Sequence, residues 1–518
     1  MLDAGGKLTE ELGYRAVLVK QDVKFEREYQ NGEERERDRF LGSLVLDYAV
    51  TDNLSVNVYY DQTDDKAGLD TGAWLDSNGD LIGAEKTIYD FSWAFTDITV
   101  NNIGGKVTYF FTPQWSIKAG YNEQTFERQR FESTPIKPDD YVVGDSYESR
   151  PYDRFDDWQF KTAFVDLTGE FSIGSTDHQI LVGMNKLDYY YDQLRVAVDS
   201  PYVGYADYII GQAEPMIPDV SYKTDDTLSV TEYDYYGFYF QDLVTLNEHW
   251  QVTFGGRFDQ QRSEGADSDS FVPKFGVLYH PIADATVYVN YSEGFEPASS
   301  ETLDNEDDLN HGMKLDAVTS EQIELGGKWQ ISERLLVESA IFDIKKRGAS
   351  ITETITETIT GNPDYNSITT QAGLQRHKGI ELSAQGAVTD TLFVMASTMY
   401  LDAEYEKDDN YEGKAPVDAP KWSASLWSRY ELTESLALNG GIFFQGKRFA
   451  DSDNEVEKDA YTRLDVGATY STKVSDVGLD FRFNIENLLD TDYLAGGGVS
   501  SVTVGDGRTA RFEVKASF

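Results

Sequence analysis

Cysteine is absent from this chain of 518 residues, and so is any long uninterrupted run of apolar residues. Without cysteine the chain can form no disulfide, no thiolate metal site and no cysteine nucleophile. Because a transmembrane helix needs about 18 consecutive apolar residues, the sequence predicts none. No stretch sustains the 3.6-residue hydrophobic period of an amphipathic helix. These absences leave β structure as the expected basis of the fold.

Basic residues are scarce: 45 lysines and arginines stand against 91 acidic residues, giving a net charge of −46. Binding a nucleic-acid backbone requires clustered Lys and Arg, so the composition argues against a nucleic-acid partner. Hydrophobic residues still make up 40% of the chain, which excludes a disordered protein. Two classes remain, a large soluble β protein and a transmembrane β-barrel whose hydrophobicity is hidden in alternation.

The sequence repeatedly alternates apolar and polar residues. At the C-terminus, Ala510, Phe512, Val514 and Phe518 alternate with charged or hydroxyl-bearing residues. Successive strand side chains point to opposite faces, so such a strand has one apolar and one polar face. The same alternation occurs at 54–61, 115–122, 422–426 and 479–486. We count about 20 strands, many of them longer than the roughly 9–11 residues that cross a bilayer.

The connections between the predicted strands also alternate, in length. Short polar turns occur at 50–53, 111–114, 331–334, 388–391 and 432–435. Long segments occur at 63–90, 128–156, 192–230, 296–318, 347–373 and 490–506. Short turns at one end and long loops at the other are typical of an outer-membrane barrel. A soluble sandwich is not expected to sort its loops so strictly, so the pattern favours the barrel.

Three segments carry a family resemblance. Residues 290–297 read NYSEGFEP and are followed by SEQIELGGK at 320–328; residues 484–493 read NIENLLDTDY; the chain ends in Phe518 on an alternating strand. Together they resemble the TonB-dependent outer-membrane receptors, in particular the ferric-siderophore branch. The resemblance implies an all-β fold, a transmembrane antiparallel β-barrel, which has 22 strands in this family.

The resemblance also sets expectations for the domains. Family members carry an N-terminal plug domain and a TonB box, and neither is found in residues 1–518. Leu2–Leu8 resembles the tail of the family's second strand and Leu12–Phe25 its third. The chain is therefore expected to be an N-terminally truncated barrel without a plug. Met1–Gly6 has neither a basic region nor an apolar core, so no signal peptide is expected in it.

The function implied by the resemblance is uptake of ferric siderophores across the bacterial outer membrane, energy-coupled through TonB in the full-length protein. The expected partners are the ferric siderophore, outer-membrane lipid and lipopolysaccharide, with TonB acting only through the absent plug. A monomer is expected, with no cofactor and no enzymatic activity. The alternatives are uptake of vitamin B12, haem or a glycan by the same fold, and a passive porin-like pore.

Strand parity nominates ligand-binding residues near the outer ends of three strands. The resemblance places the family's pocket at the outer mouth, where aromatic and Arg side chains suit catechol, hydroxamate or carboxylate groups. The candidates are Phe126, Arg128, Arg130, Tyr233, Tyr235, Arg257 and Gln261, with Asp259 beside them. The competing interpretation is polar packing between interior strands, or an aromatic girdle for the tyrosines. A strongly acidic mouth disfavours a highly anionic ligand unless local arginines override it.

No metal site is expected. The five histidines are scattered, and none are spaced as helical i, i+4 ligands. Asp76–Asp80 begins like a calcium loop, but Leu81 stands where an EF-hand requires Gly. A second acidic cluster comprises Asp304, Glu306, Asp307 and Asp308. Solvated charged loops are the favoured interpretation of both segments.

Overall fold

The computed structural model describes residues 1–197, 208–210, 212, 214, 227–263, 267–298, 302–303, 305, 308–354 and 367–518. Across these ranges the chain is β structure joined by turns and loops. In the part of the chain that is described, no helix is long and apolar enough to span a membrane.

Twenty-one strands form one antiparallel sheet in the described residues. We number them along the chain as β1 (Leu2–Lys7), β2 (Leu12–Glu28), β3 (Glu34–Thr51), β4 (Leu54–Gly68), β5 (Phe95–Thr112), β6 (Trp115–Glu132), β7 (Tyr152–Ile173), β8 (Thr176–Ala197), β9 (Thr227–Asn247), β10 (Trp250–Arg262), β11 (Ser268–Ile282), β12 (Ala285–Glu296), β13 (Val318–Ser332), β14 (Leu335–Thr354), β15 (Ser367–Ala387), β16 (Leu392–Lys407), β17 (Trp422–Glu431), β18 (Leu436–Gln445), β19 (Tyr461–Val474), β20 (Val477–Glu486) and β21 (Thr509–Ser517).

Each strand pairs with the next one along the chain, so the sheet is a continuous meander from β1 to β21. This confirms the predicted antiparallel sheet, and short turns such as Thr51–Leu54 alternate with long loops. Several strands continue into segments predicted as loops, and β7 and β8 each have 22 residues. These strands are longer than the roughly 9–11 residues that cross a bilayer. Outside the membrane, cross-strand side-chain pairs stabilise the additional length of the hairpin.

The two faces of the sheet differ as the alternation predicts. Ile103 on β5 is 54% exposed and Ile341 on β14 is 56% exposed, and both side chains lie on the outward face. A protein in water rarely exposes so many large apolar side chains in a continuous belt. The apolar belt therefore faces lipid, and the polar face lines the interior.

The sheet curls until residues near its two outermost strands meet. The Gly507 amide, just before β21, donates to a carboxylate oxygen of Glu26 near the end of β2 at 3.0 Å. Lys86, in the loop after β4, pairs with the same Glu26 at 2.7 Å. The long-loop end of β2 and the segment just before β21 are therefore joined through the Glu26 side chain and loop backbone.

The main apolar core lies outside the sheet, among the long loops. We call it the loop cap; its buried residues are Ala73, Trp74, Leu75, Ile82, Tyr89, Phe91, Tyr141, Tyr147, Tyr208, Ala450, Val456 and Val502. The Trp74 and Tyr89 rings stack at 3.9 Å between centroids, and Tyr147 meets Trp74 edge-on at 5.1 Å. The sequence pattern did not predict this core, because loop residues have no strand or helix period.

Backbone pairing ties the loop after β4 to the loop before β21 inside the loop cap. Ala73 and Val502 exchange both amide-to-carbonyl hydrogen bonds, at 2.8 and 2.9 Å, and the Leu75 amide donates to the Val499 carbonyl at 2.8 Å. Gly72 adopts a φ of +110°, and a Cβ there would lie 2.7 Å from the Ser501 carbonyl carbon. Only glycine allows this turn and this close approach together.

Candidate functional site at the outer mouth

The seven predicted ligand-binding residues all lie on the inward face of the sheet. On β6 the odd-numbered Ile117 and Tyr121 are exposed on the outward face, so Phe126, Arg128 and Arg130 point inward. Strand register carries this face to β10 through the pairs Phe126–Trp158, Trp158–Tyr191, Tyr191–Thr231 and Tyr235–Gln261. We call this inward face, at the long-loop ends of β6 to β10, the wall.

One row of the wall consists of aromatic rings beside Arg128. Phe126 meets Trp158 edge-on at 4.8 Å, and Trp158 stacks on Tyr191 at 4.7 Å. The Arg128 guanidinium lies 5.0 Å from the Trp158 ring centroid, within cation–π range. The row therefore presents a rigid aromatic surface with one guanidinium fixed beside it.

Arg128 belongs to a ladder of ion pairs. Its Nη2 lies 2.7 Å from an Asp156 oxygen, and Asp156 also faces Arg154 at 3.4 Å. Glu132 pairs with Arg154 at 3.1 Å and with Arg130 at 2.9 Å. The Asp156 carboxylate is fully buried, and the Tyr191 hydroxyl also donates to it at 2.8 Å. Three guanidinium groups thus share two carboxylates, and none of the three lacks a partner.

A second aromatic row runs parallel to the first. Phe160 on β7 meets Tyr189 on β8 at 5.3 Å, and Tyr189 stacks on Tyr233 at 4.5 Å. Since Phe160 and Tyr189 are two residues from Trp158 and Tyr191, alternation puts both rows on the inward face. The predicted Tyr233 is therefore part of a built aromatic surface.

Arg257 is held flat against the wall by four groups. Its Nε donates to Asp259 at 2.6 Å and its Nη2 donates to Asn185 at 2.8 Å. The rings of Tyr235 and Tyr239 lie 5.9 and 5.2 Å from the guanidinium carbon. Gln261 faces Tyr235 in the register between β9 and β10. The structure thus brings Tyr235, Arg257, Asp259 and Gln261 into one neighbourhood.

A glycine makes the position of Arg257 possible. The guanidinium crosses the backbone of β9 at Gly237, where a Cβ would overlap both it and the Asn185 amide oxygen. The same device recurs where Tyr59 crosses Gly104 and donates to Asn122 at 2.9 Å. In each case a long polar side chain spans a glycine and bonds to the next strand, which keeps the inward surface flat.

Sequence parity alone missed five residues of the wall: Arg154, Asp156, Trp158, Tyr189 and Tyr191. All five alternate on the inward face of β7 and β8, so the signal was present in the sequence. The missing information was where the strand begins and how it pairs. The start of β7 at Tyr152 was not predicted, so the partners of its outer residues on β6 and β8 were unknown. Extending the strand by parity from Phe160 back to Arg154 would have found three of them on β7.

Segments from the N-terminal and C-terminal parts of the chain line a cavity of about 940 Å³. The cavity lies at the long-loop end of the barrel, as the wall does. It lies between the outer end of β2, the loop after β4, and the loops before β19 and β21. Eight of its lining residues are acidic and three are basic. Tyr461 and Tyr493 both line it and stack on each other at 4.5 Å.

In the described parts of the two acidic loops, Asp76 and Asp308 accept hydrogen bonds from nearby amides and hydroxyls. One Asp76 oxygen accepts the amides of Asn78 and Asp80 at 2.8 and 3.0 Å, which closes a turn. In the second cluster Asp304, Glu306 and Asp307 lie outside the described residues, and buried Asp308 accepts from Ser367 and Thr369 at 2.8 Å each. Across the described ranges no three His, Asp or Glu side chains are grouped to hold a metal ion.

Beside Ala450 and Val456 of the loop cap, two buried cations share one carboxylate. Arg448 and Lys458 have fully buried side chains, and both donate to Asp418, Arg448 at 3.0 Å. Asp418 also accepts the Gly497 amide at 2.6 Å, and Lys458 donates to the Gly497 carbonyl at 2.5 Å. Burial alone would raise the pKa of Asp418, but the Lys458 and Gly497 hydrogen bonds and the two cations lower it overall. Burial lowers the pKa of Lys458 despite Asp418.

Comparison with protein families assigns this β-barrel to a known family. Residues 42–488, most of the chain and nearly all of the sheet, match the family described as "TonB dependent receptor-like, beta-barrel". The chain belongs to this family. It is therefore an outer-membrane β-barrel of the TonB-dependent receptor type, a family of receptors and transporters.

Two named outer-membrane or metal-uptake receptors are similar to this chain over large parts of its length. The ferrichrome outer membrane transporter and phage receptor of Escherichia coli K12 is 27% identical over 66% of this chain and 46% of its own length. The metal-pseudopaline receptor CntO of Pseudomonas aeruginosa is 25% identical over 95% of this chain and 69% of its own. The chain thus spans about half to two thirds of the length of these relatives.

Solved structures agree with the barrel fold. The crystal structure of BauA, the ferric preacinetobactin receptor from Acinetobacter baumannii, has a TM-score of 0.84 with 22% identity, covering 100% of this chain and 77% of BauA. The siderophore receptor PiuA from the same organism has a TM-score of 0.85 with 19% identity, covering 99% and 78%. At these identities the likeness shows that the TonB-dependent receptor barrel shares their fold.

Proposed function

We propose that this barrel is the receptor portion of an outer-membrane transporter that takes up ferric siderophores. The observation that carries the proposal is the wall, where stacked aromatic rings and fixed arginines converge at the outer mouth. Relatives named as ferrichrome and metal-pseudopaline receptors support the same substrate class. TonB coupling would act through a plug domain in the whole protein. No enzymatic step is part of the proposal, and the partner at the mouth is an iron chelate.

The wall fits this chemistry through complementary features. Ring faces of Trp158 and Tyr191 offer large apolar contact to the aliphatic or aromatic backbone of a chelator. Guanidinium groups of Arg128 and Arg257 can donate to the oxygen atoms that surround a chelated iron. Because their partners hold these groups in place, little side-chain freedom is lost when a ligand binds.

The Trp158→Ala variant is expected to bind a ferric siderophore at least tenfold more weakly, since central aromatic anchors contribute about 2 kcal/mol or more. The measurement is quenching of tryptophan fluorescence during titration of detergent-solubilised barrel with iron-loaded hydroxamate and catecholate siderophores. Trp329→Ala is the matched control, because Trp329 is 51% exposed at the short-turn end of β13 and its loss should leave affinity unchanged. Equal affinity of the two variants would remove the wall from the site.

Gly237→Ala is expected to weaken binding about fivefold, because the added methyl displaces the Arg257 guanidinium from the wall. Gly237 is a positioning residue, so its effect should vanish when Arg257 is already replaced. We therefore expect the double variant Gly237→Ala, Arg257→Gln to bind no more weakly than Arg257→Gln alone. Gly440→Ala is the control, since a Cβ there meets only the Asp465 carbonyl oxygen at 3.8 Å. Additive losses in the double variant would contradict this role.

A further inference from the structure

We infer that the ligand of this receptor is a ferric chelate of neutral or positive net charge, such as a hydroxamate complex that carries a protonated amine. This inference rests on the proposed function and narrows its substrate class. The charges on the wall, the charges around the cavity and the pairing of the cations in both places carry the argument.

The wall offers almost no uncompensated positive charge. The three arginines of the ladder share Asp156 and Glu132, and Arg257 pairs with Asp259 at 2.6 Å. Asp166 adds another inward carboxylate, which accepts a hydrogen bond from Tyr239. The four arginines are thus matched by four carboxylates. Arg195, stacked 3.6 Å from the Tyr152 ring centroid, leaves an excess of one positive charge.

The cavity is strongly acidic after its own ion pairs are counted. Lys86 pairs with Glu26 at 2.7 Å, and Lys447 pairs with Glu457 at 2.5 Å. The third lining cation, Arg27, is held by Asp70 at 2.5 Å, outside the lining. Three cations therefore face eight carboxylates, and each cation already has a partner.

Two of the remaining carboxylates are close enough to affect each other. Burial raises the pKa of Glu85, and the charge of Asp492 and a hydrogen bond with it raise the pKa further. Both residues line the cavity together with the Tyr461–Tyr493 stack. Carboxylates beside aromatic faces attract an ammonium group and repel an anion. The cavity would therefore favour a ligand that brings a positive charge close to Glu85 and Asp492.

The electrostatic field at the mouth of the barrel acts on a charged ligand while it approaches as well as when it is bound. A net charge of −46 with acidic residues at the entrance attracts cations and slows the approach of anions. A polyanionic chelate would need free arginines to overcome this field, and the wall arginines are already paired. Discrimination therefore comes from repulsion of the wrong ligand as much as from attraction of the right one.

The test compares three iron complexes that share one linear trishydroxamate core. The first keeps its terminal amine as an ammonium group, the second is N-acetylated and neutral, and the third is N-succinylated and anionic. We expect affinity to fall in that order in low salt, with about tenfold between the first and the third. The difference should shrink at about 0.5 M salt, where screening shortens the range of charge interactions.

Two variants locate the effect. Glu85→Gln combined with Asp492→Asn is expected to reduce the preference for the ammonium probe by at least about threefold, without weakening the neutral probe. Asp52→Asn, which removes a carboxylate in the short turn between β3 and β4, is the control and should leave the preference unchanged. An unchanged preference in the double variant would overturn the assignment to the cavity.

The outcomes separate the inference from the proposed function. Binding of the anionic probe, of a ferric tris-catecholate or of ferric citrate as tightly as the ammonium probe overturns the inference and leaves ferric-siderophore uptake standing. If none of these iron chelates binds, the proposed function fails and the inference fails with it. Cation preference that disappears in high salt supports both.

Discussion

Replacing Asp418 by asparagine is expected to destabilise the loop cap by about 3–5 kcal/mol, because it leaves the buried Arg448 and Lys458 without a counter-ion. Asparagine keeps the size of the side chain and tolerates the left-handed φ of +58° found at this position. The loss therefore reports the charge rather than a cavity or backbone strain. It should be local, since the cap and the membrane-spanning strands are held by different interactions.

Hydrogen exchange in the loop that contains Gly497 measures this effect, because the Gly497 amide donates directly to Asp418. Asp453→Asn is the control: the Asp453 side chain is 59% exposed, so its ion pair with Lys414 at 2.6 Å should contribute less than about 1 kcal/mol. Equal exchange in both variants would show that the buried cations find other partners.

The same carboxylate gives the cap a defined acid limit. Because the pKa of folded Asp418 lies below its ordinary value, its contribution is complete above the unfolded value of about 3.9. The contribution is lost as the pH falls through the lower, folded value. The native cap should keep its exchange protection from pH 7 to about pH 4 and lose part of it below, whereas Asp418→Asn lacks this step.

The Trp74→Ala variant is expected to lower the stability of the loop cap by about 3–5 kcal/mol, the cost of deleting a large side chain from a packed core. Trp74 is 1% exposed, stacks on Tyr89 and meets Tyr141 and Tyr147 edge-on. Its removal takes contacts from its own loop after β4, which contains Tyr89, and from the loop after β6, which contains Tyr141 and Tyr147. Trp74→Phe should fall between the native protein and the alanine variant.

Limited proteolysis of the outer loops measures the second effect, with heat-modifiable migration in gels showing that the barrel itself remains folded. Val142→Ala is the control, because Val142 is 64% exposed in a loop near the cap and should change cleavage little. Faster cleavage of the long loops in Trp74→Ala, with an intact barrel, is the expected result. Unchanged cleavage would mean that the cap is held mainly by its backbone pairing.

The strands and their faces could be predicted from the sequence because lipid imposes a strict rule on alternate residues. Val514 and Phe512, or Val58 and Tyr60, must be apolar on the side that meets lipid, whatever the neighbouring strands contain. The lengths of the hairpins could not be predicted in the same way. Beyond the membrane no apolar alternation is required, so residues such as Arg154 and Asp156 gave no parity signal as strong as that of Val58.

The candidate site was predictable in part for the same reason. Parity placed Phe126, Arg128 and Arg257 on the inward face, which the structure confirms. Their role as ligand contacts stays a prediction. Which residues lie beside them depended on register, and register depends on the turn geometry of each hairpin. The ion-pair ladder between Arg128, Asp156 and Arg154 could not be read from the sequence, because Arg128 stands more than twenty positions before the other two.

The loop cap illustrates the remaining limit. Trp74, Tyr89 and Val502 lie in segments without periodicity, and their contacts come from different loops. Local sequence patterns therefore carried no information about them. The only trace of the loop cap in the sequence is the number of aromatic residues between predicted strands, Trp74 and Tyr89 among them.

The pairing between distant parts of the chain also fixes an order of assembly. Glu26 and Gly507 are 481 residues apart in sequence. The paired hydrogen bonds of Ala73 and Val502 can form only after the loop that contains Val502 has reached Ala73. Contacts with such sequence separation form late, because the intervening chain must first be arranged. The hairpins of the sheet need only their neighbours and can form one after another. The outer loops should therefore become protease-resistant as the last event of folding, after the β20–β21 hairpin is in place.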